Sequence, residues 1–253
     1  MDLKPYMEFT RSLAIQAGKI SLDYFQKELT PEYKLDLSPV TVADRAVEGF
    51  IRGQIEKKYP QHSIVGEEYG EDGNSGKSIR WIIDPIDGTK SFMRGVPLYA
   101  VLIGMEVEGV VRVGAAYFPA LGEMICAADG EGCWWNEKRT HVSEIDKLEE
   151  SYVCFTSMRG GLTERQMPIW NRLKEKAYAL RGWSDAYGYL VVATGRAEVM
   201  VDPAMKIWDC GPFPPIFREA GGYFGSWDGW EGHTFGEAIA CNANIAKLLF
   251  EVS

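Results

Sequence analysis

Apolar residues recur at three- and four-residue steps near the start of the chain. Phe9, Leu13 and Ala17 begin one such stretch, and residues with this spacing lie on one face of an α-helix. The spacing predicts an amphipathic helix over residues 5–28, with a proline in its first turn. A similar spacing predicts a second helix over residues 44–58, which stops before the next proline.

After residue 98 the pattern changes to long apolar runs separated by short turns. Residues 98–107 and 110–118 are two such runs, joined by Glu108 and Gly109, and this arrangement predicts a β-hairpin. A third strand is predicted over residues 123–127. Beyond residue 150, strands alternate with helices. The strands are predicted near Val153, Tyr178, Val199 and Ala238, and the helices over residues 164–176, 185–194, 214–220 and 244–250.

The length and composition indicate a globular protein. A chain of 253 residues with 46% hydrophobic residues fits one large unit or two intimate halves, which we place at residues 1–150 and 151–253. The chain has no apolar run near twenty residues, and its first five residues do not resemble a signal peptide. We therefore expect a soluble, cytoplasmic protein. The five cysteines are widely spaced, so we expect reduced, mostly buried thiols.

The segment 81–92 carries the most informative chemistry. An apolar run ends at Asp84, and Asp87, Gly88 and Thr89 follow. Both carboxylates can present oxygens to one cation, and a helix that begins at the Gly-Thr pair offers unpaired N–H groups to a phosphate. For an isolated motif of this kind, the alternative is a turn at Asp84 with Asp87 as an N-cap.

Further acidic residues lie where the chain enters or leaves regular structure. Glu67 and Glu68 follow an apolar pair, Asp209 follows a tryptophan, and Asp44 begins the second predicted helix. Each of them alone is typical of a solvated carboxylate or a helix cap. Together with the motif at 84–89, they resemble the signature of the inositol monophosphatase superfamily.

The resemblance covers nearly the whole chain. The family patterns Gly-Glu-Glu, Asp-Pro-Ile/Leu-Asp-Gly-Thr-x-x-Phe and Trp-Asp before Glu-Ala-Gly-Gly occur in order at residues 66–68, 84–92 and 208–222. Residues 90–97 and 184–189 are similar to the histidinol-phosphate phosphatase branch. The resemblance implies an α/β (α+β) fold, a layered αβαβα sandwich of the inositol monophosphatase and fructose-1,6-bisphosphatase type.

The resemblance also implies a ligand set for divalent cations. Glu67, Asp84 and the carbonyl of Ile86 would hold a first ion, and Asp84, Asp87 and Asp209 a second. Oxygen donors without histidine favour Mg²⁺, as two or three ions, with Mn²⁺ as a substitute. The run of prolines at 212–215 must confine the next helix to a late start, and this could displace the Asp209 carboxylate.

Catalytic and phosphate-binding roles follow from the same matching positions. Glu67 and Thr89 would orient the attacking water, although Thr89 could also cap a helix. Asp44 would hydrogen-bond with Thr89 or with water at the metal, or act only as an N-cap. The backbone N–H groups of Gly88 and Thr89 would hold the phosphate. Glu68 and Lys34 would support the site without binding the ions.

Substrate choice is expected to depend on residues beyond the ions. Asp87 and Asp209 would contribute to this binding together with Asp185, Asp202 and Arg94. Histidinol phosphate carries an ammonium and an imidazole, so a carboxylate at Asp185 favours it over a neutral polyol. The alternatives are that Asp185 caps a helix and that Arg94 forms a surface salt bridge.

These inferences predict a Mg²⁺-dependent phosphomonoesterase. The expected substrate is L-histidinol phosphate, with inositol 1-phosphate or another sugar phosphate as the alternative. A binding partner of another macromolecule with residual phosphatase activity is an alternative of a different class. The net charge of −9 argues against nucleic acid as the main partner, and no membrane interaction is expected. Eight tryptophans and twelve tyrosines suit a homodimer interface, and the resemblance implies inhibition by lithium.

Overall fold

The structure is a computed structural model that describes residues 1–28, 30–33, 39–72, 78–158 and 161–250. In chain order, the helices are α1 (Lys4–Leu22), α2 (Val42–Lys58), α3 (Thr89–Met93), α4 (Met167–Lys176), α5 (Asp185–Ala193), α6 (Ile207–Cys210), α7 (Phe213–Ala220) and α8 (Ala243–Phe250). The strands are β1 (Glu32–Tyr33), β2 (Pro39–Val40), β3 (Ser63–Gly66), β4 (Gly70–Glu71), β5 (Ile79–Asp87), β6 (Ala100–Val107), β7 (Val110–Phe118), β8 (Glu123–Ala128), β9 (Gly132–Trp135), β10 (Lys138–Arg139), β11 (Tyr152–Phe155), β12 (Ala179–Arg181), β13 (Val199–Asp202), β14 (Gly222–Gly225) and β15 (Ala238–Asn242).

The helices and two large sheets form five layers. Helices α1 and α2 cover the outer face of an eight-stranded sheet, α5 and α7 lie between this sheet and a five-stranded one, and α4 and α8 cover the outer face of the second sheet. The predicted αβαβα sandwich is therefore confirmed.

The eight-stranded sheet has the order β10-β9-β8-β7-β6-β5-β3-β4, and among its pairs only β3 and β5 run parallel. Successive residues of a strand point to opposite faces. On β6, Val101 and Ile103 contact the core under α1 and α2, whereas Leu102 contacts the core between the sheets. Burial on both faces explains why this strand reads as a continuous apolar run.

The five-stranded sheet has the order β12-β11-β13-β15-β14. Its strands β12, β11 and β13 are parallel, so their carboxyl ends meet at one edge. Phe155 ends β11 and Asp202 ends β13. This edge forms one side of a wide cleft.

A pair of glycines lets the chain after α6 approach the eight-stranded sheet. Gly104 and Gly114 are partners on adjacent strands. A Cβ atom at Gly104 would lie 2.3 Å from the carbonyl oxygen of Gly211, and one at Gly114 would lie 2.0 Å from that of Pro212. No larger side chain fits at either position, because both contacts are with backbone atoms. The two glycines thus form a notch that seats residues 211–212 and brings α6 against β5 and β6.

Two element boundaries differ from the sequence predictions for tertiary reasons. Helix α1 ends at Leu22 rather than near residue 28. The chain turns there, and the Phe25 ring packs 5.6 Å from Phe92 and 5.0 Å from Tyr99, centroid to centroid. Helix α4 begins at Met167 rather than at residue 164, because Gln166 instead accepts a hydrogen bond from the Thr163 N–H and donates one to Glu237.

All five cysteines are free and buried. Burial raises the pKa of Cys126 to about 11 and that of Cys154 to about 12. These thiols are therefore protonated and shielded in the folded protein. Separately, none of the helices in the described ranges combines the length and the apolar character that a membrane span requires.

Candidate active site

A bulge in strand β5 brings two aspartates to the same side. Residues three apart on a regular strand point to opposite faces. Asp84 pairs with Leu102 and Asp87 with Ala100, so the register shifts between them. A β-bulge of this kind redirects side chains, and bulges are common beside active sites. The sequence placed the two aspartates after a short strand, whereas both lie within a nine-residue strand.

Asp84 and Asp87 meet Asp209 in an acidic cluster. One oxygen from each carboxylate lies within 4.8 Å of the others. Burial and the neighbouring charges of Glu67, Asp87 and Asp209 raise the pKa of Asp84 well above its usual value. Burial likewise raises the pKa of Asp209 to about 6, although the Lys206 N–H donates to its carboxylate at 2.7 Å.

The proline run does not carry Asp209 away from the cluster. Asp209 lies on the short helix α6, and α7 begins at Phe213 with Pro214 and Pro215 in its first turn. The late start predicted for this helix is thus confirmed. The notch at Gly104 and Gly114 lets residues 211–212, which connect the two helices, pack directly against the sheet.

Glu67 lies beside this cluster, directly after strand β3. Its N–H donates to the Ile83 carbonyl at 3.2 Å, which places it beside the residue before Asp84. Its charge contributes to the raised pKa values of Asp84, Asp44 and Asp209. Glu67 also lines the cleft together with Asp87 and Asp209.

Thr89 and Asp44 face each other across the floor of the site. The Thr89 hydroxyl lies 3.1 Å from the Ile86 carbonyl oxygen and 3.4 Å from Asp44 Oδ1. The other Asp44 oxygen accepts the Thr41 N–H at 2.8 Å in a capping box. Thr41 is the N-cap of α2, so Asp44 is not. The Asp44 carboxylate instead hydrogen-bonds with Thr41 in this cap and with Thr89. Burial raises the pKa of Asp44.

Gly88 has a left-handed backbone conformation that favours glycine. Its φ is +80°, and a Cβ atom there would lie 3.1 Å from Asp185 Oδ2. It precedes Thr89, the first residue of α3. The predicted helix start after the Asp-Gly pair is thus observed, with Gly88 rather than Thr89 at the cap position.

Helix α5 begins beside the acidic cluster. Asp87 Oδ2 accepts the Ala186 N–H at 2.7 Å, so a carboxylate from β5 caps α5. Asp185 has a φ of +55°, which is a strained conformation for a residue with a Cβ. Its carboxylate lies 3.4 Å from the hydroxyls of Ser91 and Ser184. The capping role considered for Asp185 therefore belongs to Asp87, and Asp185 is directed toward Gly88 and Ser91.

We call Asp185, Asp202 and Phe155 the leaving-group wall. The three residues line the cleft together with Asp87 and Asp209, and the cleft has a volume of about 760 Å³. Asp202 is buried, and burial raises its pKa to about 7. Burial also raises the pKa of Asp185, while hydrogen bonds from Ser91 and Ser184 and the charge of Lys90 oppose this effect.

Three other predicted site residues have different outcomes. Arg94 is exposed at the end of α3, and the cleft-lining residues, over the part of the chain that the structure describes, do not include it. Its substrate role stays a prediction. Glu68 donates its N–H to Glu48 Oε2 at 2.7 Å, which ties its backbone to α2. Lys34 lies outside the described residues.

The sequence analysis did not identify Glu48 or Ser91 as site residues. Glu48 is fully buried one helical turn after Asp44, and an acidic residue on the apolar face of a helix is the signal that could have revealed it. Ser91 contacts Asp185 across a separation of 94 residues, and a serine inside a short helix gives no such signal.

The chemistry of the acidic cluster fits a divalent cation. Carboxylates at this spacing repel one another, and the burial of Asp84 and the partial burial of the other two reduce screening by water. The raised pKa values express that cost. A hard cation between the oxygens would remove it, since Mg²⁺ prefers carboxylate and carbonyl oxygens. Glu67, Asp84, Asp87, Asp209 and the Ile86 carbonyl are the residues that would hold it.

Sequence similarity identifies the family of this chain. The sequence model of the inositol monophosphatase family matches residues 2–251. The chain therefore belongs to the inositol monophosphatase family and is a phosphoric monoester hydrolase.

The chain is also similar to individual proteins over nearly its whole length. The chain is 43% identical to a histidinol-phosphatase of Chlorobaculum parvum, over 96% of this chain and 93% of that protein. It is 31% identical to the Nus factor SuhB of Haemophilus influenzae, over 97% and 94%. Its fold superposes on an IMPase from Thermotoga maritima with a TM-score of 0.86 at 27% identity, covering 97% and 95% of the two chains.

Proposed function

We propose that this phosphatase hydrolyses L-histidinol phosphate in a Mg²⁺-dependent reaction. The observation that carries the substrate assignment is the pair of carboxylates on the leaving-group wall. Asp185 and Asp202 line the same cleft as the acidic cluster, so the alcohol part of an ester bound there would lie beside two further negative charges. The relative from Chlorobaculum parvum that is named histidinol-phosphatase supports the same substrate.

A cationic alcohol would relieve the cost of burying these carboxylates. The pKa values of Asp185 and Asp202 are raised mainly by burial, so each carboxylate is destabilised in its charged form. An ammonium or a protonated imidazole beside them would stabilise that form. Lys90 is exposed, so solvent screens the competing charge that it brings to Asp185. The hydroxyls of inositol are neutral and would not give this stabilisation.

The reaction needs a water activated on one side of the phosphorus and a leaving oxygen on the other. Bound Mg²⁺ would stabilise the negative charge on the phosphoryl oxygens and on the leaving oxygen. Thr89 Oγ1 would accept a proton from the attacking water while its own proton passes to Asp44 Oδ1, 3.4 Å away. Glu67 would accept a hydrogen bond from the same water and orient it. The water oxygen forms a bond to phosphorus as the bond between phosphorus and the alcohol oxygen breaks. The alcohol oxygen takes a proton from solvent, and Asp44 returns its proton to solvent.

The first experiment compares three esters in phosphate-release assays with Mg²⁺ and with a chelator. The esters are L-histidinol phosphate, the analogue in which hydrogen replaces its amino group, and myo-inositol 1-phosphate. We expect the chelator to abolish hydrolysis. We also expect a kcat/KM for histidinol phosphate at least about tenfold above that of the other two, which corresponds to about 1.4 kcal/mol.

Each arm of this comparison tests one part of the proposal. Equal rates for histidinol phosphate and the analogue would remove the role of the ammonium. A preference for the inositol ester would overturn the substrate assignment and leave the metal-dependent chemistry in place. Activity that survives the chelator would overturn the metal dependence.

A second candidate function has a specific observation in its favour. The relative from Haemophilus influenzae is named a Nus factor, so a role as a macromolecular binding partner is the alternative. Asp87→Asn distinguishes the two, since it removes a charge from the acidic cluster while keeping an acceptor for Ala186. A protein that acts by binding should keep its biological effect in this variant, whereas an enzyme should lose it. Lithium inhibition, homodimer assembly and a cytoplasmic location stay predictions.

A further inference from the structure

Helix α2 carries two buried acidic residues one turn apart. Asp44 contacts Thr89 at the floor of the site. Glu48 lies four residues later and is also completely buried. Residues four apart lie on the same face of a helix, so the two carboxylates leave α2 on the same side. The proposed reaction uses Asp44 and gives no role to Glu48.

The Glu48 carboxylate holds the backbone that follows Glu67. Its Oε2 accepts the Glu68 N–H at 2.7 Å, and its Oε1 accepts the Tyr69 N–H at 3.3 Å. Arg52 Nε donates to the same carboxylate at 2.8 Å, and its guanidinium also donates to the Gly70 carbonyl. Side chains of α2 thus anchor three successive backbone groups after Glu67.

Gly66 makes this approach possible. A Cβ atom at residue 66 would lie 2.1 Å from Glu48 Oε1 and 2.5 Å from its Cδ. Both atoms belong to a side chain that is held by three hydrogen bonds, so it has little room to move. The glycine of the Gly-Glu-Glu sequence therefore leaves space for a carboxylate beneath the turn.

These anchors fix Glu67 between two partners. On one side its N–H donates to the Ile83 carbonyl, directly before Asp84. On the other side Glu48 holds the next two peptide groups. An anchor is needed because Glu67 directly follows β3 and Asp84 lies on the neighbouring strand β5, and like charges held at one site repel each other. Without the anchor, the turn could relax and the Glu67 carboxylate could move away from Asp84.

We propose that Glu48 is a positioning residue that holds Glu67 where it and Asp84 can bind the same divalent cation. This inference rests on the proposed metal-dependent function. Groups that orient metal ligands typically change metal affinity by about 10- to 100-fold when they are replaced. Glu48→Gln keeps the size of the side chain, but it replaces one accepting oxygen with an amide that faces other donors. We expect about tenfold weaker Mg²⁺ binding in this variant.

The test measures Mg²⁺ binding directly, by isothermal titration calorimetry on the full chain without substrate. Glu219→Gln is the matched control, because Glu219 also accepts two backbone N–H groups, those of Gly130 and Gly132 at 2.8 Å each. We expect both variants to melt at a lower temperature than the wild type. Only Glu48→Gln should raise the Kd for Mg²⁺, and the Mg²⁺ concentration for half-maximal activity should rise in parallel.

A purely structural role for Glu48 predicts a different pattern. If Glu48→Gln melts earlier but binds Mg²⁺ as the wild type does, the inference is wrong. If the variant does not fold, Glu48→Asp takes its place, since it keeps the charge and shortens the side chain by one methylene. An unchanged Kd in Glu48→Asp would also overturn the inference, whereas a Kd raised at least about threefold, with kcat at saturating Mg²⁺ nearly unchanged, would support it.

Failure of the proposed function has its own signature. A wild-type protein that binds Mg²⁺ but hydrolyses neither ester would overturn only the substrate assignment, and the calorimetric comparison would still decide the role of Glu48. A wild-type protein that binds no Mg²⁺ would overturn both the metal dependence and the positioning role.

Discussion

The two sides of the cleft are built in different ways. The acidic cluster lies on a bulged strand and on a short helix over the glycine notch, and its residues appear in the sequence as compact motifs. The leaving-group wall takes its residues from the ends of two parallel strands and from Asp185, whose backbone is strained. The difference suggests that the shared chemistry of the family is carried by the first side. Substrate choice would then depend on the second.

Asp84→Asn is the change with the largest expected effect. We expect kcat/KM to fall about a thousandfold, or about 4 kcal/mol, because the variant removes the charge of a buried residue of the acidic cluster. Without metal, the variant should melt at a higher temperature, since it removes a buried carboxylate whose pKa is raised by burial and by its neighbours. Phosphate-release assays and thermal melts in a chelator check the two parts. Asp146→Asn, at an exposed position, is the control and should change neither.

A loss of activity in Asp84→Asn without a gain in metal-free stability would contradict this account of the acidic cluster. It would mean that the repulsion inferred from the spacing of the carboxylates is already relieved within the protein.

Asp202, on the leaving-group wall, should make the free energy of unfolding depend on pH. Burial raises the pKa of Asp202 from 3.8 to about 7. A group with a raised pKa in the folded state stabilises the fold below its unfolded pKa, and this contribution is lost as pH rises toward the folded value. The difference between the two pKa values corresponds to a loss of roughly 4 kcal/mol of unfolding free energy by neutral pH.

Asp202→Asn should therefore become more stable than the wild type as pH rises from about 4 to about 7. Denaturant melts of both proteins at several pH values, in a chelator, measure this difference. Curves that stay parallel across this range would show that Asp202 does not carry the burial cost assigned to it.

Asp185→Asn tests whether the leaving-group wall, rather than the acidic cluster, determines substrate choice. Asparagine tolerates a positive φ better than most residues, so the backbone at +55° can be kept. We expect kcat/KM for histidinol phosphate to fall about a hundredfold, or about 2.7 kcal/mol, through loss of a charged hydrogen bond to the ammonium. Hydrolysis of inositol 1-phosphate should stay nearly unchanged. Equal losses for both esters would assign Asp185 to the general architecture of the site.

Gly104→Ala tests the notch that seats α6. The new methyl group would lie 2.3 Å from the Gly211 carbonyl oxygen, and relief of such a contact costs about 1 to 3 kcal/mol. Because residues 211–212 follow Asp209, the variant should also weaken Mg²⁺ binding. Thermal melts and calorimetry check the two effects.

Gly53→Ala is the control for this variant, since a Cβ atom there meets no described atom within 4 Å. The alanine should stabilise the exposed position on α2 slightly. A Gly104→Ala protein as stable as the wild type would show that the sheet can yield to admit the methyl group.

The sequence predicted most of what depends on neighbouring residues. The resemblance of the motifs around Asp84, Asp87 and Asp209 to those of a known family predicted that the three carboxylates share one site, and the structure brings them together. The proline run correctly predicted the late start of α7, because that feature depends on neighbouring residues alone.

Features that depend on distant contacts were not predicted. The end of α1 is set by rings near residue 92 and not by its own periodicity. The notch at Gly104 and Gly114 depends on a segment about a hundred residues later, and a glycine in a strand gives no indication of its partner. Asp185 has a positive φ and lies beside Gly88 and Ser91, neighbours that no local pattern contains.

The five buried cysteine thiols can report local unfolding of the layers in which they lie. Cys126 belongs to the core beneath α1 and α2, Cys241 to the core beneath α4 and α8, and the remaining cysteines to the core between the sheets. A thiol reagent can react with each of them only when its own layer opens. The order in which the five sites are labelled over time would therefore rank the layers by their resistance to opening, without any introduced probe.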